Sequence, residues 1–312
     1  MNDLGYLSTE EAAQLINVHP NTIVRWIKSG KLPSSKIGRE YRIPREAIEN
    51  RVKRAGPGTR IIAIANQKGG VAKTTSTLNL AAGLAQRGQR ILVVDLDPQG
   101  GCAVSLGIPT DSLSKTVYSV LMDDAVGFSD IVMKTGCGFD LAPSNIDLAG
   151  AEVELKQQLA AEQVLKRNLE EILDDYEFIL FDCPPSLGML TINALTAAKE
   201  LLIPMAMEYL ALRGLDMLAK TVGKIRAVTN SELSYLGILA TKYDRRTLNS
   251  QEIYMALQRA SQQAGIHLFN TFIISSVRFT ESPSAKQPLI LADPEHEGSR
   301  AYRTVVETIL YD

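Results

Sequence analysis

A glycine-containing loop between a predicted strand and a predicted helix constrains the fold of this chain more than any other feature. An apolar, β-branched run at residues 60–65 suits a buried parallel strand, and a helical pattern follows at 74–87. Gly69 and Gly70 lie between them. Glycine lets a backbone approach a phosphate without a Cβ, and a helix N-terminus presents free N–H groups and the positive end of its dipole. The pattern therefore predicts a loop that binds the phosphates of a nucleotide.

The residues at the start of the predicted helix favour the same interpretation. A lysine there supplies charge at the β- and γ-phosphates, and a threonine hydroxyl can ligate Mg²⁺. The strict pattern G-x-x-x-x-G-K-S/T is not met, because Gln67 and Ala72 stand where its two glycines would be. What is present is K-G-G-x-x-K-S/T. The predicted nucleotide-binding residues of this loop are Lys68, Gly69, Gly70, Val71, Ala72, Lys73, Thr74 and Thr75.

Two further apolar runs end in carboxylates. The run at 91–94 is followed by Asp95 and Asp97, and the run at 178–181 is followed by Asp182. Ligands of open α/β sheets bind beyond the carboxyl ends of the strands, so these carboxylates are expected beside the phosphate loop. Thr74 and Asp182 form the predicted Mg²⁺ site, with Asp182 acting through a water.

The remaining segments alternate between strand and helix patterns. Such alternation predicts an α/β fold with a mainly parallel sheet and helices on both faces. Strands are predicted at 61–65, 91–95, 139–142, 178–182, 200–204, 235–240 and 270–274. Helices are predicted at 74–87, 188–199, 212–229, 250–264 and 299–310, with a variable helical region at 115–175.

The loop and the two carboxylate-ending strands, in this order, resemble the ParA/MinD-type ATPases, which have a deviant Walker A motif. The segment 95–100 is similar to the family box D-x-D-P-Q-G-N, with Gly101 in place of the usual asparagine. The resemblance covers about residues 60–310 and implies that ATP or ADP and Mg²⁺ are the cofactors, with weak ATP hydrolysis. It implies Lys68, Lys73 and Asp97 as catalytic residues. Asp97 would orient or deprotonate the attacking water, and Lys68 would cross to the nucleotide of a partner, so that a homodimer forms on ATP binding.

The same resemblance implies roles for three residues near the C-terminus. Relatives place a proline and an asparagine near the adenine, where this chain has Ile274 and Ser276, and Ser276 is kept as a nucleotide-binding candidate. Arg246 and Arg278 align with arginines that help the ATP-bound dimer hold DNA without sequence preference. The alternative is that these two arginines are surface residues in ion pairs.

The N-terminal segment differs from the rest of the chain in its charge. Residues 1–55 contain ten lysines and arginines against six acidic residues, a net charge of +4, although the whole chain carries −2. Segregated basic charge often marks the part of a protein that meets nucleic acid. Ser8 and Glu11 have the spacing of a helix capping box, and Pro20 is placed at the start of a second short helix. Two short helices joined by a tight turn predict a helix-turn-helix unit.

A hairpin with Gly38 at its turn and a closing helix from Arg45 complete this unit, and the stretch 7–51 resembles the excisionase/MerR-like winged helix-turn-helix modules. Trp26 and Tyr41 are expected in its core. The alternative to DNA contact is that its arginines are merely solvated.

We assign residues 1–52 to this domain, 53–60 to a linker and 61–312 to the ATPase domain. The DNA-binding candidates of the module are Asn21, Thr22, Arg25, Lys28, Arg39 and Arg42.

The sequence thus favours a ParA-type ATPase that partitions plasmid or chromosomal DNA. Double-stranded DNA and a ParB-like protein that stimulates hydrolysis, and so releases the DNA, are the expected partners, and a cytoplasmic, nucleoid-associated location is expected. An ATP-responsive DNA-binding transcription regulator without a transport role is the main alternative. A MinD-like membrane positioner is disfavoured, because residues 308–312 do not form a basic amphipathic tail and no run reaches the ~18 apolar residues of a membrane span. An iron–sulfur reductase is disfavoured because Cys102, Cys137 and Cys183 are widely separated.

Overall fold

The computed structural model of this 312-residue chain describes residues 5–15, 20–28, 32–38, 40–48, 58–208 and 211–311. The N-terminal unit contains two helices and a small antiparallel sheet in the order β1-β3-β2. Residues 45–48 are helical as well. The bounds are β1 Tyr6–Leu7, α1 Thr9–Leu15, α2 Pro20–Lys28, β2 Ser35–Ile37 and β3 Glu40–Pro44.

The local signals of the N-terminal unit are confirmed. The Ser8 backbone N–H donates to Glu11 Oε2 at 2.8 Å, and the Glu11 N–H donates to Ser8 Oγ at 3.1 Å, which is a capping box. Gly38 has φ +65 at the hairpin turn. Trp26 is buried in the core of the unit, as expected. The expectation that Tyr41 lies in the core is wrong: its side chain is only half-buried, and one face of its ring is taken by the Lys36 ammonium, 5.6 Å from the ring centroid.

The second unit is built on an eight-stranded sheet in the order β11-β10-β9-β4-β8-β5-β7-β6. The recorded pairings are parallel except that between β6 and β7, which is antiparallel at one edge. The fold is therefore the mainly parallel α/β fold that the sequence predicts. The strands are β4 Arg60–Ile64, β5 Ile91–Asp95, β6 Met133–Lys134, β7 Asp140–Ala142, β8 Phe178–Asp182, β9 Glu200–Ala206, β10 Ser234–Tyr243 and β11 Leu268–Ile274.

Helices cover both faces of this sheet. Successive residues of β4 point to opposite sides, so that Ile61 and Ala63 belong to one buried cluster and Ile62 and Ile64 to the other. None of the helices in the described part of the chain is long and apolar enough to cross a bilayer. The helices are α3 Lys73–Gln86, α4 Gly101–Ser105, α5 Val117–Met122, α6 Leu148–Glu154, α7 Val164–Leu169, α8 Met189–Ala197, α9 Ala211–Val228, α10 Leu248–Ala264, α11 Arg278–Glu281, α12 Leu289–Ala292 and α13 Glu297–Tyr311.

One boundary differs from the sequence prediction in an informative way. Arg60 begins the run that the sequence predicts as a strand, although the domain division places it at the end of the linker, and it is the first residue of β4. Its backbone N–H donates to the Glu177 carbonyl at 2.9 Å, and its guanidinium donates to both carboxylate oxygens of Glu200 at 2.8 and 2.7 Å. These contacts, one to the residue before β8 and one to the start of β9, explain why a charged residue opens an otherwise apolar strand.

Candidate nucleotide-binding site

The predicted phosphate loop connects β4 to α3 and is held in a strained conformation. Ala72 precedes the helix with φ 67 and ψ 36, in the left-handed region that favours glycine. Gly70 also has positive φ, at +71. The Ala72 carbonyl accepts the first helical hydrogen bond, from the Ser76 N–H at 2.9 Å. The chain therefore enters α3 through two residues with positive φ, Gly70 and Ala72.

Side chains from neighbouring segments fix the loop from two sides. Asn66 donates through Nδ2 to the Pro204 carbonyl of β9 at 2.8 Å and accepts the Lys68 N–H at 3.0 Å. The buried Thr241 of β10 donates through its hydroxyl to the Val71 carbonyl at 3.0 Å. These two contacts couple the loop to the two strands that lie beyond β4 in the sheet.

Lys73 is the first residue of α3, and it is nearly buried, with 7% of its surface exposed. Its ammonium donates to the Lys68 carbonyl at 3.3 Å. Burial lowers the pKa of Lys73, and the negative charge of Asp182 opposes that shift. The Lys73 side chain thus lies inside the curve of the loop and is shielded from water. A phosphate bound in the loop would give its ammonium the polar partner that burial has removed.

The sheet places the predicted Mg²⁺ ligands next to each other. Asp182 ends β8, which lies between β4 and β5, and it is fully buried. The Thr74 hydroxyl donates to Asp182 Oδ2 at 2.6 Å, and the Thr77 hydroxyl donates to Oδ1 at 3.2 Å. Burial raises the pKa of Asp182 to about 6, against the hydrogen bond from Thr74 and the charge of Lys73. Hydroxyl and carboxylate oxygens are ligands that Mg²⁺ prefers, so this pair fits the ion.

Asp95 organises the turn that carries Asp97. Asp95 is fully buried opposite Asp182 in the sheet register. Its carboxylate accepts the backbone N–H of Asp97 and that of Cys102, both at 3.0 Å. Asp97 is half-buried and accepts the Gln99 N–H at 3.0 Å. The structure therefore assigns Asp95 a positioning role beside the predicted catalytic carboxylate.

Two residues near the site have contacts that the sequence did not predict. Cys102 is fully buried, and its Sγ lies 3.5 Å from Asp182 Oδ2. Glu208, just beyond β9, forms an ion pair with Lys68, and the hydrogen bond from Lys68 lowers the pKa of Glu208. No sequence spacing signals these contacts, because each depends on which strands are neighbours in the sheet.

Ser276 lies apart from this cluster. It follows β11, which is separated from β4 by β10 and β9. Its hydroxyl is 3.2 Å from His296 Nε2, and the Arg278 N–H donates to it at 3.3 Å. The structure thus brings together the loop, Asp97 and Asp182, but it gives Ser276 a different set of neighbours.

The DNA-binding candidates are described only in part. Lys28 and Arg42 are exposed. Arg246 donates to both carboxylate oxygens of Asp244 at 3.0 and 2.9 Å, and Arg278 pairs with Glu281 at 3.1 Å and Asp293 at 3.2 Å, so both have the ion pairs that the alternative interpretation expects. The side chains of Asn21, Thr22 and Arg25, and all of Arg39, lie outside the described residues.

Comparison with known proteins agrees with this arrangement. The profile of the AAA domain family matches residues 59–235, and that of the helix-turn-helix domain family matches residues 6–55. The sporulation initiation inhibitor protein Soj of Bacillus subtilis is 42% identical over 250 residues, which cover 80% of this chain and 98% of Soj. The chromosome partitioning protein ParA of Caulobacter vibrioides is 38% identical over 253 residues, 80% of this chain and 94% of ParA.

A solved structure is similar over nearly the same share of the chain. It is a Mycobacterium smegmatis protein described as cobyrinic acid a,c-diamide synthase with bound ADP and magnesium, with a TM-score of 0.71 and 38% identity over 81% of this chain and 94% of that one. The profile match at residues 59–235 contains the deviant loop, the Asp95–Asp97 turn and Asp182. This chain therefore belongs to the ParA/MinD-type family of ATPases, and a helix-turn-helix domain precedes its ATPase domain.

Proposed function

We propose that this protein is a ParA-type partition ATPase that binds DNA as an ATP-dependent homodimer and releases it after hydrolysis. The observation that carries the proposal is the convergence of Lys68, Lys73, Thr74, Asp97 and Asp182 at the carboxyl ends of three neighbouring strands. The similarity to Soj and ParA over most of their lengths supports the partition role.

In the proposed reaction the loop binds ATP through its backbone N–H groups and Lys73. Thr74 and Asp182, which share a 2.6 Å hydrogen bond, would hold Mg²⁺, Asp182 through a water. The ion neutralises charge on the phosphates when it is bound. Asp97 would orient the attacking water or accept its proton. Its carboxylate is positioned for this by the turn that Asp95 holds.

Lys68 would act across the dimer. In its own chain it pairs with Glu208, so this ion pair has to break before Lys68 can reach the nucleotide of a partner. A positive charge supplied in trans to a transferring phosphoryl group accelerates hydrolysis by roughly 10³–10⁵ in other systems. Coupling between dimerisation and hydrolysis would let ATP time the DNA-bound state.

DNA would be bound at two places. The N-terminal unit would read a specific site through α2 and the hairpin, with Lys28 and Arg42 among its contacts. Arg246 and Arg278 would bind phosphates without sequence preference once DNA displaces their carboxylate partners, and such binding weakens steeply as salt rises. A ParB-like partner would stimulate hydrolysis, and the DNA-bound protein would be associated with the nucleoid.

The dimer is tested with Lys68→Ala, compared by light-scattering chromatography and phosphate release with wild type. We expect loss of the ATP-dependent dimer and of turnover. Glu208→Gln, which keeps Lys68 but weakens its ion pair, should retain both, and Lys166→Ala on α7 serves as a surface control. An unchanged monomer–dimer balance and unchanged turnover in Lys68→Ala would contradict the proposal.

The DNA-bound state is tested by retention of the full chain on duplex DNA with ADP, ATP and a non-hydrolysable analogue. Retention on random DNA should require a triphosphate and fall in Arg246→Ala, whereas retention on the specific site should fall in Arg42→Ala. Retention that ignores the nucleotide would favour the transcription regulator. Loss of the replicon on gene deletion, rather than only altered expression, distinguishes partition from regulation.

A further inference from the structure

Lys242 is a third lysine close to the phosphate loop. It comes from β10, whereas Lys68 lies in the loop itself and Lys73 is the first residue of α3. A Cβ atom placed on Gly70 would lie 3.8 Å from the Lys242 ammonium. Gly70 has φ +71 and no side chain, so its own atoms leave the loop backbone open toward that ammonium. The ammonium of Lys242 therefore lies beside Gly70 of the predicted phosphate loop.

A β-bulge directs Lys242 to this position. Ala240 pairs with Phe272 and Tyr243 pairs with Ile274, so Thr241 and Lys242 together lie opposite one residue of β11. Lys242 itself has φ +51, a conformation that residues other than glycine rarely adopt. Bulges of this kind change the direction of a side chain and are frequent next to active sites.

The residue before Lys242 connects the bulge to the loop. The Thr241 hydroxyl donates to the Val71 carbonyl at 3.0 Å, and Thr241 is fully buried. The Met207 N–H donates to the Thr241 carbonyl at 3.0 Å, which fixes the same point to the segment after β9. The position of Lys242 relative to Gly70 is therefore set by buried contacts, although its side chain is exposed.

Among the carboxylates of the described residues, none forms an ion pair with Lys242, whereas Lys68 is paired with Glu208. The charge of Lys242 contributes to lowering the pKa of Glu208, after the larger effects of Lys68. An unpaired ammonium beside an anion-binding loop attracts an anion rather than stabilising the fold.

We propose that Lys242 binds the phosphate chain of the nucleotide, as a lysine supplied in cis by β10 over Gly70. A lysine ammonium is a compact charge with three donors and can follow a phosphate oxygen through small movements. While Lys68 stays paired with Glu208, Lys242 and Lys73 would be the two lysines that hold the phosphates within one chain. The proposal rests on the nucleotide site proposed above.

The experiment measures binding of a fluorescent ATP analogue and of ADP, with Mg²⁺, to full-length wild type, Lys242→Met and Lys242→Arg. We expect Lys242→Met to weaken ATP binding about tenfold, the typical effect of losing one charge-assisted hydrogen bond. Lys242→Arg should stay within about threefold of wild type, because it keeps the charge. Inorganic tripolyphosphate competes with the analogue through the phosphate contact alone. It should bind Lys242→Met more weakly than wild type by a similar factor.

Lys286→Met is the matched control, because Lys286 is an exposed lysine that also has positive φ, at +54, and packs on Gly107 rather than on the phosphate loop. It should bind ATP and tripolyphosphate as wild type does. Equal affinities of Lys242→Met and wild type would overturn the assignment of Lys242. Weaker ATP binding in both Lys242→Met and Lys242→Arg, with unchanged competition by tripolyphosphate, would also overturn it, since that result indicates a structural role. Wild-type protein that binds no nucleotide would instead overturn the proposed function itself.

Discussion

Ala72 shows how the deviant loop departs from a glycine-rich one at a single residue. The strict pattern has glycine here, and the structure keeps the left-handed conformation, with φ 67, although alanine occupies the position. An L-residue other than glycine is destabilised in this region by about 1–2 kcal/mol, because its Cβ approaches the following carbonyl oxygen. The loop geometry is therefore imposed by its surroundings, namely the contacts from Asn66 and Thr241.

We predict that Ala72→Gly raises the free energy of unfolding by about 1 kcal/mol, since glycine adopts this conformation without the clash. Denaturant unfolding of the full chain measures the change. Ala81→Gly, in the middle of α3, is the control and should lower stability by at least about 1 kcal/mol, because glycine disfavours a helix interior and the buried methyl group is lost. A fall in stability for Ala72→Gly would mean that the alanine methyl group makes a contact worth more than the strain.

Asp95 provides a second prediction at this scale. Its two carboxylate oxygens each accept one backbone N–H, from Asp97 and from Cys102. Asparagine can accept only one of these bonds and places an amide N–H group against the other donor. Asp95→Asn should therefore lower the free energy of unfolding by about 1–3 kcal/mol, the cost of a buried unsatisfied group.

The same substitution should reduce ATP turnover while ATP binding persists, because Asp95 positions Asp97 and touches no loop residue of the phosphate site in the described contacts. Phosphate release and nucleotide titration separate the two effects. Asp111→Asn, at an exposed position, should change neither quantity. Normal turnover in Asp95→Asn would show that the turn at Asp97 does not depend on this carboxylate.

At the scale of elements, α3 and α13 pack closely through a glycine. A Cβ atom on Gly83 would lie 2.7 Å from Val306 Cγ2 and 3.1 Å from Ile290 Cδ1. Val306 is buried, and its β-branched side chain has little rotamer freedom in a helix. The absence of a side chain at position 83 thus sets how closely α13 approaches the helix that begins at Lys73.

We predict that Gly83→Ala destabilises the protein by about 1–2 kcal/mol. Overpacking a core costs about 1–3 kcal/mol, which exceeds the gain of about 1 kcal/mol that alanine brings to a helix. Denaturant unfolding of the double variant Gly83→Ala with Val306→Ala provides the test, because the smaller side chain makes room for the new methyl group. The two substitutions should be less damaging together than the sum of their separate effects. Additive losses would exclude the steric explanation.

The strands and helices that form the centre of the fold could be predicted from the sequence, because they are long and their apolar residues recur regularly. Met133–Lys134 and Tyr6–Leu7 were missed, since two residues are too few to show a period. The sequence predicts the loop, Asp97 and Asp182 together, because each lies at the carboxyl end of a strand or just after it. Glu208 and Lys242 are not predicted, because the sequence does not reveal that β9 lies beside β4 and that β10 lies beside β9. The Lys242 bulge depends on pairing with β11, which is likewise a tertiary property.

At the scale of the whole molecule, residues 171–176 of the ATPase domain contact both the N-terminal unit and Thr59, which directly precedes β4. The Trp26 indole N–H donates to the Glu171 carbonyl at 2.9 Å. The Thr59 hydroxyl donates to the Tyr176 carbonyl at 3.0 Å. The sequence predicted Trp26 as a core residue, and its apolar atoms do lie in the core of the N-terminal unit. A buried indole N–H needs an acceptor, and here that acceptor lies in the other domain.

We predict that Trp26→Phe loosens this contact while the N-terminal unit stays folded, since phenylalanine keeps most of the packing but lacks the donor. Loss of one hydrogen bond of about 1 kcal/mol should increase local opening about fivefold. Hydrogen–deuterium exchange of the full chain should therefore accelerate in residues 171–176, while peptides from β4 and β8 exchange as in wild type. Tyr41→Phe is the control, because it removes a hydroxyl from the same unit without touching the indole. If exchange rises only within residues 20–28, the indole bond does not hold the domains together, and the effect of the substitution is confined to the core of the N-terminal unit.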